Sequence, residues 1–112
     1  MSDIVEYRGY RMPYATAETI VFHVAFGRPV GSFTEAVLRN DLIGAFARAD
    51  IYNTRCMRDV VAFVHNCVPG ACIRDNYDAW RDFSQAERVS ELAIVKVTTA
   101  RDWLMMAEEF PA

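Results

Sequence analysis

Residues 31–50 read GSFTEAVLRNDLIGAFARAD, and the fold turns on how this stretch is taken. Ser32 is a good N-cap residue, because its hydroxyl can accept from an orphan amide in the first helical turn. Glu35, three residues on, can return a hydrogen bond to the Ser32 amide and complete a capping box. Phe33, Val37, Leu38, Leu42, Ile43 and Phe46 recur at helical spacing and predict one apolar face on a helix running from Ser32 towards Asp50. Glu35 and Arg39 stand four apart in the favourable order on the opposite side. The turn that feeds this helix is Gly27-Arg28-Pro29-Val30-Gly31-Ser32.

Working back from the turn, Ala17 to Phe26 reads as a first helix, capped by Thr16 and stopped by Gly27 and Pro29. Ile20, Val21 and Val24 mark its buried side. His23 is read as a packed, hydrogen-bonded core residue. Residues 1–15 form an arm in which Tyr7, Arg8, Tyr10, Arg11 and Tyr14 interleave rings with cations, with Gly9 and Pro13 as breakers. Two readings of the arm stand open: an edge strand lying over the core, or a strip that stacks on bases and grips phosphate.

Working forward, the long helix continues, with a kink left open, into a segment that restarts at Thr54 with Asp50 or Asn53 as its cap. Met57, Val60, Val61, Val64 and Val68 again take helical spacing, and Val68-Pro69-Gly70 ends it. The fold class is therefore mainly α: a short N-terminal helix and a long antiparallel helix pair with its kink left open, an αα-hairpin, or three helices if the chain breaks there. Residues 69–75 are a turn. Asp75 can cap a short helix through Trp80 to Phe83, and Ser84 with Glu87 is a second capping box. Residues 92–98, LAIVKVT, are β-branched and read as a short strand or extended passage, with a helix as the alternative. Thr99 caps a last helix, residues 100–110, with Trp103 and Leu104 on its apolar side. The chain divides into an arm (1–15), a helical core (16–83) and a C-terminal extension (84–112) of one domain.

The 112 residues suit a single domain, and 53% hydrophobic with 24% charged residues is a globular composition. So high an apolar share in a small chain favours self-association. The net charge of −3 argues against duplex nucleic acid as a partner, since duplex affinity comes from many phosphate contacts. Residues 1–58 carry seven Arg against six acids, and residues 59–112 carry five bases against nine acids. Cys56, Cys67 and Cys72 include no CxxC pair, and two histidines complete no zinc spacing, so neither a metal nor another cofactor is expected. Cys56 and Cys67 read as small hydrophobes in a reducing compartment. No signal peptide and no apolar run of about 18 residues is present, which predicts a soluble cytoplasmic protein with no membrane partner.

No nucleophile–base motif, Walker motif or HExxH occurs, and an enzyme is not expected. A binder of an anionic, base-bearing ligand needs guanidinium groups for phosphate and rings for bases. The arm supplies Tyr7, Tyr10, Tyr14, Arg8 and Arg11. The turn supplies Arg28 and Ser32 beside the positive end of the long helix.

The run GRPVGSF, then AVLRNDL, then ARAD, resembles a pattern in small phage and prophage proteins. There a Pro–Gly–aromatic turn leads into AVL-x-NDL and an alanine-rich stretch ending in Ala-Asp, and Phe63-Val64-His65-Asn66-Cys67-Val68-Pro69 resembles a later element of it. The chain is similar, over roughly residues 10–82, to the phage anti-CBASS sponge family, which sequesters cyclic oligonucleotide messengers of bacterial defence. The resemblance implies a helical protomer in a compact homo-oligomer, up to a hexamer. It implies that cyclic di- or trinucleotides bind at subunit interfaces without being cleaved. By position it implies a base-stacking role for Tyr14, with Tyr10 as second choice, and phosphate contacts for Arg28 supported by Ser32. Arg74 is the basic candidate for a trinucleotide pocket. The family's GSP-type turn is replaced here by Ile73-Arg74-Asp75-Asn76, and residues 84–112 have no counterpart in the pattern. The alternative function is a phage inhibitor of a defence complex, anti-CRISPR or anti-restriction, acting by protein contact through the acidic extension.

Overall fold

A computed structural model describes residues 3–92 and 100–110. The chain is mainly helical, with one small sheet. The arm forms a hairpin of β1 (Ile4–Tyr7) and β2 (Tyr10–Pro13), paired antiparallel with Val5 opposite Met12 and Tyr7 opposite Tyr10. Arg8 (φ 53°) and Gly9 (φ 87°) make the two-residue turn, both in the left-handed region that matches strand twist. Met12 is fully buried, so the edge-strand reading of the arm describes its place on the core.

Helix α1 spans Tyr14–Phe26. It starts before the expected Thr16 cap, because Pro13 supplies a pre-set φ of −58° and the Tyr14 amide donates to the Asp3 carbonyl at 2.7 Å. Thr16 is instead buried and donates to Asn53 Oδ1 at 2.5 Å. Gly27 ends the helix at φ 66°, with its amide on the His23 carbonyl at 2.8 Å.

The predicted long helix is in fact several. Helix α2 covers only Ser32–Leu38, with Gly31 as its N-cap and no side-chain capping bond. Ser32 is thus the first helical residue, and Glu35 pairs with Arg39 at 3.0 Å. Asn40 then takes φ 65°, its amide reaching the Val37 carbonyl at 3.1 Å and the Asp41 amide reaching Ala36 at 2.8 Å. That is a Schellman close with asparagine in the left-handed position. Asp41 immediately caps α3 (Leu42–Arg48) by accepting from the Gly44 amide at 2.9 Å. Leu42, Ile43 and Phe46 consequently leave the core face and stand 44%, 87% and 58% exposed. Asp50 caps α4 (Ile51–Arg55) by accepting from the Asn53 amide at 2.8 Å, and α5 (Met57–Cys67) follows. Pro69 and two short 3₁₀ turns lead to α6 (Tyr77–Asp82). Asp75 lies in the second of these turns, and α6 takes Asn76 in the capping position without a side-chain bond.

The Ser84 capping box forms: the Ser84 amide donates to Glu87 at 2.9 Å and the Glu87 amide to Ser84 Oγ at 3.2 Å, opening α7 (Gln85–Leu92). The expected strand falls, after Leu92, outside the described residues, as does Thr99. Helix α8 (Ala100–Glu108) closes the chain with Trp103 fully buried.

One core joins these elements: Ile20, Val21 and Val24 of α1, Phe33, Val37 and Leu38 of α2, Val60 and Phe63 of α5, and Trp80, Leu92, Trp103 and Phe110. His23 sits at its centre, fully buried and stacked on Tyr77 at 4.6 Å. Its Nε2 donates to the Cys72 carbonyl at 2.8 Å, and the Trp80 indole donates to the His23 carbonyl at 2.8 Å. Cys67 and Cys72 are buried and Cys56 half-buried, all as free thiols. Among the described residues no helix is long and apolar enough to cross a membrane.

Candidate ligand site on the first helix

Helix α1 places Phe22 and Phe26 one turn apart, their ring centroids 6.0 Å from each other. The left-handed Gly27 reverses the chain, so Arg28 folds back over these rings. Its guanidinium carbon lies 4.7 Å from the Phe22 centroid and 5.3 Å from that of Phe26. Phe110, from the segment after α8, meets Phe22 edge-on at 6.1 Å and Tyr14 at 5.0 Å. Tyr14 and Arg28 therefore stand at two ends of one aromatic strip, although fourteen positions separate them in sequence. Arg28 is exposed, and among the described residues no carboxylate pairs with it.

Along the same stripe of α1, three residues before Phe22, Thr19 opens on a cleft of about 270 Å³. Thr16, Ser32, Thr34, Arg48, Asp50 and Asn53 complete its polar lining. The Thr19 hydroxyl donates to the Thr16 carbonyl at 3.0 Å, and the Thr34 hydroxyl, 3.2 Å away, is placed to donate to it. A second cleft of about 200 Å³ shares Ser32 and Arg48 and adds Glu35, Arg39 and Asp41. Ser32 and the half-exposed Arg48 thus sit where the two clefts meet. The Arg48 guanidinium approaches Asp41 only to 3.9 Å, which leaves its donors available for a ligand. Helix α2 has seven residues, so the strong helix-end field expected behind Ser32 is not built.

Tyr10 and Arg74 lie elsewhere. The Tyr10 hydroxyl accepts from Asn66 Nδ2 at 2.9 Å, and its ring meets Phe63 edge-on at 6.0 Å. Arg74, at φ 55°, borders an apolar cleft with Leu42, Val61, His65 and Ile73. So Tyr14, Arg28 and Ser32 share the α1 side of the protomer, and Tyr10 and Arg74 do not join them. Sequence reasoning passed over Arg48 and the Thr19–Thr34 pair. The signal for Arg48 was its seven-residue spacing from the cap residue Asp41, which brings both to one side of α3.

The groups with perturbed acidity lie outside these clefts. Burial and then the Glu109 carboxylate, which accepts from it at 3.0 Å, push the Tyr7 phenol far above its usual value. Asp78 is held low by its hydrogen bond to Arg39, whose guanidinium also lies 4.5 Å over the Tyr77 ring. Neither cleft lining includes an imidazole or a thiol. Among the described residues no group of histidines, cysteines and acids is arranged to hold a metal ion. Comparison with protein-family models, with curated proteins and with solved structures finds no match for this chain.

Proposed function

We propose that this protein is a non-enzymatic binder that sequesters cyclic di- or trinucleotides, serving a phage against bacterial immunity in the host cytoplasm. The observation that carries the reading is the exposed Arg28. It has no carboxylate partner among the described residues and lies over the Phe22–Phe26 rings in one strip with Tyr14. A guanidinium in that position offers phosphate a charged fork without first breaking an ion pair, and the half-buried Tyr14 ring at the other end of the strip is the one left to meet a base. Ser32, Arg48 and the threonine hydroxyls of the adjoining cleft supply further donors. Both clefts open on the protomer surface, so a second subunit of a homo-oligomer closes the site around the ligand.

Calorimetry with a panel of cyclic di- and trinucleotides tests the proposal. Arg28→Ala weakens binding by about 1.5–3 kcal/mol, the range for a charged hydrogen bond. Unchanged affinity removes Arg28 from the site, and absence of heat across the panel refutes the function. The alternative, inhibition of a defence complex by protein contact, draws support from the exposed acids Glu87 and Glu91 of α7 and Glu108 and Glu109 at the end of α8. A stoichiometric partner pulled from host lysate, with no small ligand retained, would favour it.

A further inference from the structure

Asp50 stands where an anionic ligand meets repulsion. It is exposed, and it lines the cleft of about 270 Å³ together with Thr16, Ser32, Arg48 and Asn53. Its Oδ1 accepts from the Asn53 backbone amide at 2.8 Å and caps α4, which engages one oxygen. Among the described residues Oδ2 has no hydrogen bond, and no cation pairs with the carboxylate. A free carboxylate repels the phosphates of a nucleotide, but it is an acceptor-only group for the N–H donors of a base. In this cleft a base, and not a phosphate, faces Asp50.

We propose that the cleft reads guanine, with Asp50 accepting from the ring N1–H and the exocyclic amine. The assignment rests on the cyclic-nucleotide reading above and names one of the bases that reading requires. Guanine alone among the RNA bases carries two adjacent donors on its pairing edge. Adenine places the acceptor N1 beside its amine, and cytosine places N3 beside its own. Uracil flanks a single N–H with two carbonyl oxygens. Each of these three sets a lone pair against the carboxylate.

The rest of the lining supplies the donors that guanine's acceptors need. The Thr16 hydroxyl donates to Asn53 Oδ1 at 2.5 Å, which leaves the Asn53 side-chain amide to donate into the cleft. Arg48 approaches Asp41 only to 3.9 Å, so its guanidinium is available to O6 and N7, the commonest specific contact that proteins make to guanine. Ala15 and Phe33 give the base an apolar wall. At about 270 Å³ the cleft is nearly twice the ~150 Å³ cavity that holds benzene, which suits a fused two-ring base.

Calorimetry with cyclic dinucleotides that carry guanine, hypoxanthine or adenine tests the assignment. Hypoxanthine keeps O6, N1–H and N7 and lacks only the exocyclic amine. The unaltered protein binds the guanine form about tenfold or more tightly than the hypoxanthine form, the worth of one charged hydrogen bond, and binds the adenine form more weakly still. Asp50→Ser keeps a capping oxygen on α4 and removes the carboxylate. It levels the guanine and hypoxanthine affinities, with an unchanged melting temperature showing that the fold is kept. Equal affinities for the three forms on the unaltered protein, which need no variant, would overturn the guanine assignment and leave sequestration standing. A guanine preference that survives Asp50→Ser would do the same. Absence of heat with every form removes the cyclic-nucleotide reading itself, and this assignment with it.

Discussion

Gly27→Ala tests how the turn before α2 is held. Two effects add. An alanine at φ 66° sits in the left-handed region, which costs about 1 kcal/mol. A Cβ at that position also overlaps the Arg88 guanidinium. Arg88 is buried and fully engaged: its Nε donates to the Trp80 carbonyl at 2.9 Å, Nη2 to the Arg81 carbonyl at 2.8 Å and Nη1 to Gln85 Oε1 at 3.0 Å. Those carbonyls close the end of α6, so the side chain cannot swing away without giving up at least one charged hydrogen bond, worth about 2 kcal/mol. The sum is about 3 kcal/mol, or roughly 12 °C in melting temperature for a chain of this size. Urea unfolding measures it, and a double-mutant cycle separates the parts. In an Arg88→Met background the overlap is relieved, and Gly27→Ala falls to the backbone share of about 1 kcal/mol. The same loss in both backgrounds, or a total below about 1 kcal/mol, would refute the reasoning.

His23 makes stability depend on pH. Burial lowers its pKa below 6.5, with Arg81 and Arg88 adding repulsion, so the folded chain holds it neutral. The unfolded chain takes up the proton first. Its contribution is complete above pH 6.5 and is lost as pH falls below that value towards the depressed folded pKa. The unfolding free energy from urea titrations should drop by up to about 1.4 kcal/mol per pH unit, and His23→Gln should flatten that slope. A midpoint independent of pH in the acid range would contradict this. Asp41→Ala and Asp50→Ala each remove a side-chain cap and should cost about 1 kcal/mol, read from thermal melts; Asp50→Asn, which can still cap, should keep most of it. Iodoacetamide on the native protein should label half-buried Cys56 before Cys67 and Cys72, as peptide mapping would show, because burial raises the Cys72 thiol far above its usual value. Equal labelling of all three without unfolding would contradict the packing.

The helical class and several boundaries were legible from local chemistry. Gly27, Asp50, Pro69 and the Ser84–Glu87 box each act over a few residues, and each acts by its own local chemistry: no Cβ at Gly27, a capping oxygen at Asp50 and Ser84, a missing amide donor at Pro69. Residues 32–50 were read as one helix because Leu42, Ile43 and Phe46 keep helical spacing across the break at Asn40. Periodicity reports a helix but not the rotation between two helices. The break had its own signal in Asn40-Asp41, an asparagine that tolerates positive φ followed by a capping acid. Ser32 was placed one position early because Gly31 serves as the cap at φ −71° and ψ 168°. In the site, Arg28 and Ser32 were read from the turn chemistry. The strip joining Arg28 to Tyr14 runs through Phe110, a contact made across nearly the whole chain. No local pattern carries such a contact. Arg48 was missed for a related reason, since its place beside Ser32 follows from the same break at Asn40.

The central claim is that this chain holds a cyclic oligonucleotide. The most direct measurement is mass spectrometry of the small molecules released when the protein, purified from cells that make cyclic nucleotides, is heat-denatured. The account predicts a cyclic di- or trinucleotide in stoichiometric amount per site, depleted in protein carrying Arg28→Ala. Release of no nucleotide from the unaltered protein, together with no uptake when the denatured extract is offered to fresh protein, would contradict it.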